Sequence, residues 1–121
     1  MERAVVDLKN LGATVVEIDK EELNDESGRD AYEVLLYEFK HDLNAYLNTC
    51  NSNVKVKSLE QLIEYNMAHA DKEMPYFEQE IFLAAQDKGD LNSEAYLKAL
   101  DNVLTSNGPN GIDRVMKKLK I

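Results

Sequence analysis

Tryptophan is absent, cysteine occurs once, and the 121 residues hold two prolines, five glycines and two histidines. Each scarcity removes a class of reading. A single Cys50 forms no intramolecular disulfide, so the chain suits a reducing compartment. Two histidines are too few for a persuasive metal centre without cooperating carboxylates, and only His69, Asp71 and Glu73 lie close together. Their one- and two-residue spacings scatter the side chains around a helix axis, which argues for a solvated helix end. Glycines 12, 28, 89, 108 and 111 make no phosphate-cradling loop. No pattern asks for a cofactor.

Positive charge is also short, with 14 Lys and Arg against 23 Asp and Glu, a net charge of −9. That excludes nucleic acid or an anionic membrane as the main partner, since phosphate binding needs clustered cations. Only the last residues run the other way, where Arg114, Lys117, Lys118 and Lys120 suit a helix C-terminus. No apolar run approaches the roughly 18 residues that span a bilayer. Met1-Glu2-Arg3 opens no signal peptide, so the expected location is cytoplasmic.

What is present is helix. The apolar fraction of 44% and the charged fraction of 31% are those of a folded domain. Residues 2–11 place Ala4, Val5, Leu8 and Leu11 at helical spacing, and Gly12 sits where a helix-ending glycine belongs. Gly12 to Asp19 then reads as a buried β-strand, an orphan with no comparable partner in the chain. Residues 21–30 form an acidic connector. A long helix is predicted from about Asp30 to Leu47, with Tyr32, Leu35, Leu36, Phe39, Leu43, Tyr46 and Leu47 as its apolar stripe.

Val54-Lys55-Val56 is extended but brief. Ser58 opens a helix with Gln61 three residues on, a capping-box pattern, and Leu59, Leu62 and Ile63 face inward. Pro75 is placed as the first residue of the next helix, whose stripe is Phe77, Ile81, Phe82 and Ala85, with Gly89 at its end. Asn92 or Ser93 caps a further helix carrying Tyr96, Leu97, Leu100, Val103 and Leu104. The turn Asn107-Gly108-Pro109-Asn110-Gly111 precedes a last helix with Ile112, Val115, Met116 and Leu119. The expected fold is therefore mostly α, a helical cluster with one orphan strand near the N-terminus.

No self-contained active site emerges. Ser27, Ser52, Ser58, Ser93 and Ser106 are isolated in loops or at helix starts, and Cys50 lies just past a helix end. One further surface has a chemical character. Glu33, Tyr37, Lys40, His41 and Asn44 share a face of the long helix, able to line a pocket or a domain interface, or simply to meet solvent.

Four stretches, in order, resemble the amidase signature enzymes. They are Tyr37-Glu38-Phe39-Lys40-His41-Asp42-Leu43-Asn44-Ala45-Tyr46-Leu47, Val56-Lys57-Ser58-Leu59-Glu60-Gln61-Leu62-Ile63, Asn66-Met67-Ala68-His69-Ala70-Asp71 and Pro75-Tyr76-Phe77-Glu78-Gln79-Glu80. The opening from Ala4 to Asp19 resembles the helix and strand that precede them, and the resemblance covers about residues 2–115. It places the chain in the C-terminal half of bacterial amidases related to the glutamyl-tRNA amidotransferase A subunit. It implies an α/β parent with a mixed sheet that hydrolyses amide bonds through a Ser–cis-Ser–Lys triad.

No Ser-Ser pair or Gly-Gly-Ser string occurs here, so no catalytic residue carries over and the chain alone is expected to be inactive. Glu78 stands where relatives often have glycine. On this resemblance, residues 1–20 belong to the parent sheet and residues 31–121 are a helical region over the catalytic core. Tyr37, Lys40, Tyr76 and Gln79 are then candidates for a core-facing or substrate-entrance surface. The expected partner is the remainder of the amidase, with self-association through strand 13–19 or exposed helix faces as a corollary. The alternative is a free-standing acidic helical module that docks its strand on a partner's sheet edge.

Overall fold

The protein is described here by a computed structural model that covers residues 2–18 and 27–120. Among these the chain is helical: α1 Glu2–Asn10, α2 Gly28–Thr49, α3 Leu59–Ala68, α4 Ala70–Glu73, α5 Glu80–Gln86, α6 Glu94–Asn107 and α7 Asp113–Leu119. A π turn, Gly108–Ile112, joins the last two. No described helix is long and apolar enough to cross a membrane.

α2 is the axis of the fold, and it is buried on two sides. Val34 and Tyr37 pack with Tyr96 and Ala99 of α6, with Leu91, Leu100 and Val103 around them. Leu36 faces the other way, into a cluster with Leu59 and Ile63 of α3 and Ala85 of α5, bordered by Phe39, Leu43 and Phe82. The Tyr37 and Tyr96 rings lie 5.5 Å apart and tilted, while Phe39 and Phe82 stack at 5.6 Å. The expected α2 stripe is thus corrected. Tyr32, Leu35 and Tyr46 are exposed, and Val34 and Tyr37 are buried in their place. A helix gripped from two sides buries two narrow seams, and one broad stripe does not describe it.

Helix ends are closed largely as the sequence predicts. Gly12, at φ +92°, is the C′ residue of a Schellman turn: its N–H donates to Lys9 O at 3.1 Å and that of Ala13 to Leu8 O at 3.0 Å. At α3, Ser58 Oγ accepts from the Gln61 N–H, and Asn44 Oδ1 accepts from the Leu59 N–H at 2.7 Å. The Gln61 side chain reaches one residue further back than a capping box requires, to the Lys57 N–H. Lys57 Nζ in turn donates to the carbonyls of Leu47, Cys50 and Asn51, closing the C-terminal end of α2. In the π turn a Cβ on Gly111 would sit 2.5 Å from Ser106 O, so glycine is required there.

Two expectations are corrected. Residues 13–18 form no strand: they have no ladder, and Val16 and Ile18 are exposed. A strand exists only by pairing, and no described segment pairs with this one. Asp19 and the acidic connector through residue 26 lie outside the described residues. The second correction concerns Pro75, which does not begin a helix. Residues 74–79 are a non-helical loop, and α5 starts at Glu80.

α1 buries no side chain, and Leu11 is 85% exposed. The core assembled by α2, α3, α5, α6 and α7 does not include the N-terminal helix.

Candidate functional site

The loop between α4 and α5 carries the most unusual surface. Tyr76 is 88% and Phe77 84% exposed, and Met67, Ile81 and Leu83 are exposed around them. Phe77 was expected inside the α5 stripe. It lies outside because the loop is tied down elsewhere. Gln79 Nε2 donates to Ile63 O at 3.2 Å, and Gln79 Oε1 accepts from Asn66 Nδ2 at 3.2 Å. These two bonds hold Gln79 at φ −114°, ψ 36°, outside helical geometry, so the helix begins one residue later.

Beneath the loop is a hollow of about 440 Å³, lined by Asn66, Met74, Phe77, Gln79, Ile81 and Phe82. Glu73, Glu78 and Glu80 form its rim. A smaller hollow of about 320 Å³ shares Met74 and Gln79 and adds Met67 and Leu83. The lining combines apolar side chains with two amides and three carboxylates. Such a surface can hold an extended, partly apolar group and hydrogen-bond it. It holds no nucleophile beside a base.

The four candidates from the sequence fall into two pairs. Tyr76 and Gln79 belong to this loop. Tyr37 is buried against Tyr96, and Lys40 Nζ donates to Gln86 O at 2.8 Å and Lys88 O at 2.6 Å. Of Tyr37 and Lys40 only Lys40 reaches α5, since Tyr37 packs on α6. Gln79 stands at the N-terminal end of α5, and Lys40 supplies donors to the carbonyls at its C-terminal end. Their joint effect is to fix the helix that walls the hollow.

The rest of the α2 face is likewise engaged in holding helices. Lys88 Nζ pairs with Glu33 Oε2 at 2.7 Å and lies 5.8 Å from the Tyr37 ring centre. The hydrogen bond to Glu33 holds the Lys88 ammonium above the usual lysine range, against the opposing effect of burial. Tyr96 donates its hydroxyl to Glu38 at 2.9 Å, and that bond raises its phenol in the same way, with burial adding to it. His41 lies exposed beside Asp42. His69 uses Nδ1 on Tyr65 O at 2.8 Å and stacks on that ring at 4.2 Å, and no described cluster of His, Cys, Asp and Glu is placed to hold a metal.

Met74, Asn66 and the exposed position of Phe77 were not legible beforehand. The one available signal was Pro75 followed by two aromatics, which marks a break as readily as a helix start.

No protein-family model matches the chain, and no curated protein matches it in sequence. Solved structures do. The native peptide amidase from Stenotrophomonas maltophilia superimposes with a TM-score of 0.84 at 31% identity, over 99% of this chain and 24% of its own. A structure described as PAM12A gives 0.84 at 32% identity. The peptide amidase PAM bound to the competitive inhibitor chymostatin gives 0.81, also at 32%, with the same coverage of both chains. The chain thus spans about a quarter of the length of the structures it matches. At 31–32% identity over 99% of its length the chain is similar to about a quarter of these peptide amidases, consistent with a part of an amidase-signature protein.

Proposed function

We propose that this chain is a non-catalytic helical part of an amidase-signature hydrolase, and that residues 31–121 cover the catalytic core and shape its substrate entrance. The observation that carries the reading is the match over 99% of the chain, at 31–32% identity, to 24% of peptide amidases. In the parent enzyme a serine of a Ser–cis-Ser–Lys triad attacks the carboxamide carbonyl. The second serine and the lysine relay the proton to the leaving nitrogen, and backbone amides hold the oxyanion. Those groups lie outside this sequence, which has no Ser-Ser pair.

Within that division of labour, Tyr76 and Gln79 belong to the entrance, with Phe77 and Met74 beside them. Lys40 acts from behind, keeping the end of α5 in place, while Tyr37 packs α2 against α6. The test is the coding sequence around this stretch. Upstream and in frame, a lysine followed by a Gly/Ser-rich Ser-Ser signature is expected, and its absence removes the reading. Hydrolysis of a simple peptide amide by the purified chain would equally contradict it.

A further inference from the structure

We propose that the hollow beneath the α4–α5 loop selects peptide amides that carry a cationic side chain next to an apolar one. Phe77, Ile81 and Phe82 take the apolar group, and Glu73, Glu78 and Glu80 take the cation. The inference deepens the proposed function by naming a substrate class, and it rests on this surface being the substrate entrance.

The first support is charge. Neither this hollow nor its smaller neighbour has a lysine, arginine or histidine in its lining, whereas the larger one has three carboxylates. Lys72, adjacent to Glu73 in sequence, lines a separate hollow with His69 and Asp71. Among the described residues none of the three carboxylates has an ion pair or a hydrogen bond. The acids along α2 differ, since Glu33 pairs with Lys88, Glu38 accepts from Tyr96 and Asp30 accepts from Asn102. Like charges gathered at one partly apolar surface focus a negative potential there, and a cation seated among them relieves their repulsion.

The second support is position. Met74, Glu78, Gln79 and Glu80 line both hollows, so two of the carboxylates stand on the wall that the hollows share. A cation held at that wall leaves the larger hollow, about 440 Å³, open to an apolar side chain. The bonds that tie Gln79 to Ile63 O and to Asn66 fix the backbone between Glu78 and Glu80 before any ligand arrives, which lowers the ordering cost of binding. The exposed rings of Tyr76 and Phe77 add faces that attract a guanidinium. A divalent metal ion is a poorer occupant, because no described group of His, Cys, Asp and Glu is placed to hold one.

The test compares two substrates of the complete enzyme encoded around this stretch: acetyl-phenylalanyl-arginine amide and acetyl-phenylalanyl-citrulline amide. They match in shape and differ in side-chain charge. kcat/KM is expected to favour the arginine amide by roughly tenfold at low salt, mainly through KM, and the preference should shrink as salt approaches about 1 M. Glu78→Gln combined with Glu80→Gln keeps side-chain size and should bring the two amides to within about twofold of each other. Lys72→Gln, outside the hollow, should keep the preference.

Equal kcat/KM for the two amides overturns the inference, and so does a preference that survives the double substitution. Either result leaves the entrance reading in place. If no peptide amide is hydrolysed at all, the proposed function fails, and titration of the 121-residue chain with the same two amides decides the rest. Backbone NMR shifts at residues 73–83 that saturate at lower concentration with the arginine amide keep the cation site. Equal titrations, or no shifts with either amide, remove it.

Discussion

Helices α1 and α2 are both amphipathic, and among the described residues only α2 has fully buried side chains. α2 lies between α6 on one side and α3 with α5 on the other, and it contributes Val34, Leu36 and Tyr37 to two separate clusters. α1 presents Val6 and Leu8 to solvent and buries nothing. Apolar periodicity states that a face must be covered, not what covers it. In α2 the cover comes from later helices of the same chain, α3, α5 and α6. In α1 no described residue supplies a full cover. The exposed aromatics at 76–77 stand between these cases, because their loop is anchored to α3 through Gln79 while their rings meet nothing.

The largest expected effects test whether the α2 side is the true frame. Leu59, fully buried beneath α2, should cost roughly 2–5 kcal/mol of unfolding free energy when changed to alanine. Leu8→Ala in α1 should stay within about 0.5 kcal/mol in the isolated chain. Urea unfolding of both variants checks the contrast, and similar losses would erase it.

Gly111→Ala comes next, at roughly 1–3 kcal/mol, since the added methyl meets the Ser106 carbonyl and the π turn has to shift. Comparable in chemistry is Lys40→Met. It keeps the aliphatic stem but removes the donors to Gln86 O and Lys88 O, and should lose about 1–2 kcal/mol. The same variant in a complete amidase should loosen α5. Faster exchange of α5 amides, with the α6 amides unchanged, is the expected pattern.

A subtler effect follows from the two raised groups. Lys88 is held above its usual range chiefly by Glu33, and Tyr96 chiefly by Glu38. A raised pKa favours the protonated form in the folded state. Its stabilisation is therefore complete below the unfolded value, near pH 10 for both groups, and fades as pH rises through the folded value. The urea midpoint should be flat across neutral pH and fall above about pH 10. Tyr96→Phe should reduce that fall, and an unchanged profile would detach the phenol from it.

Smallest of all are Tyr76→Ala and Phe77→Ala, expected to change stability by less than about 0.5 kcal/mol because the rings are solvent-exposed. In a complete amidase the same changes should alter KM for bulky amides more than kcat. A large stability loss would place these rings in a packed contact instead.

Much of the helical order was legible in the sequence, for reasons that are local. The Gly12 turn, the Ser58 cap and the Gly108–Gly111 break depend on backbone groups within a few residues of their cause. The inward role of Leu36, Leu59, Ile63, Ala85 and Tyr96 also followed from spacing. The loop at 74–79 was not legible, because the groups that hold it, Ile63 O and Asn66, lie on another helix. The candidate residues split for the same reason. Tyr37 and Lys40 share a sequence motif, but which helix each one meets depends on how α5 and α6 pack.

The sequence by itself determined the helix ends at Gly12 and Ser58, that no catalytic serine pair is present, and the ordered motifs that resemble amidases. Capping, turn chemistry and motif order are written in short stretches of chain. Only the tertiary structure decided that α2 is clasped on two sides, that Gln79 and Lys40 hold opposite ends of α5, and that Tyr76 and Phe77 remain outside. It also decided that the run after Gly12 stays unpaired among the described residues. These are choices among long-range partners, and a strand-forming sequence becomes a strand only where a partner supplies the other half of its hydrogen bonds.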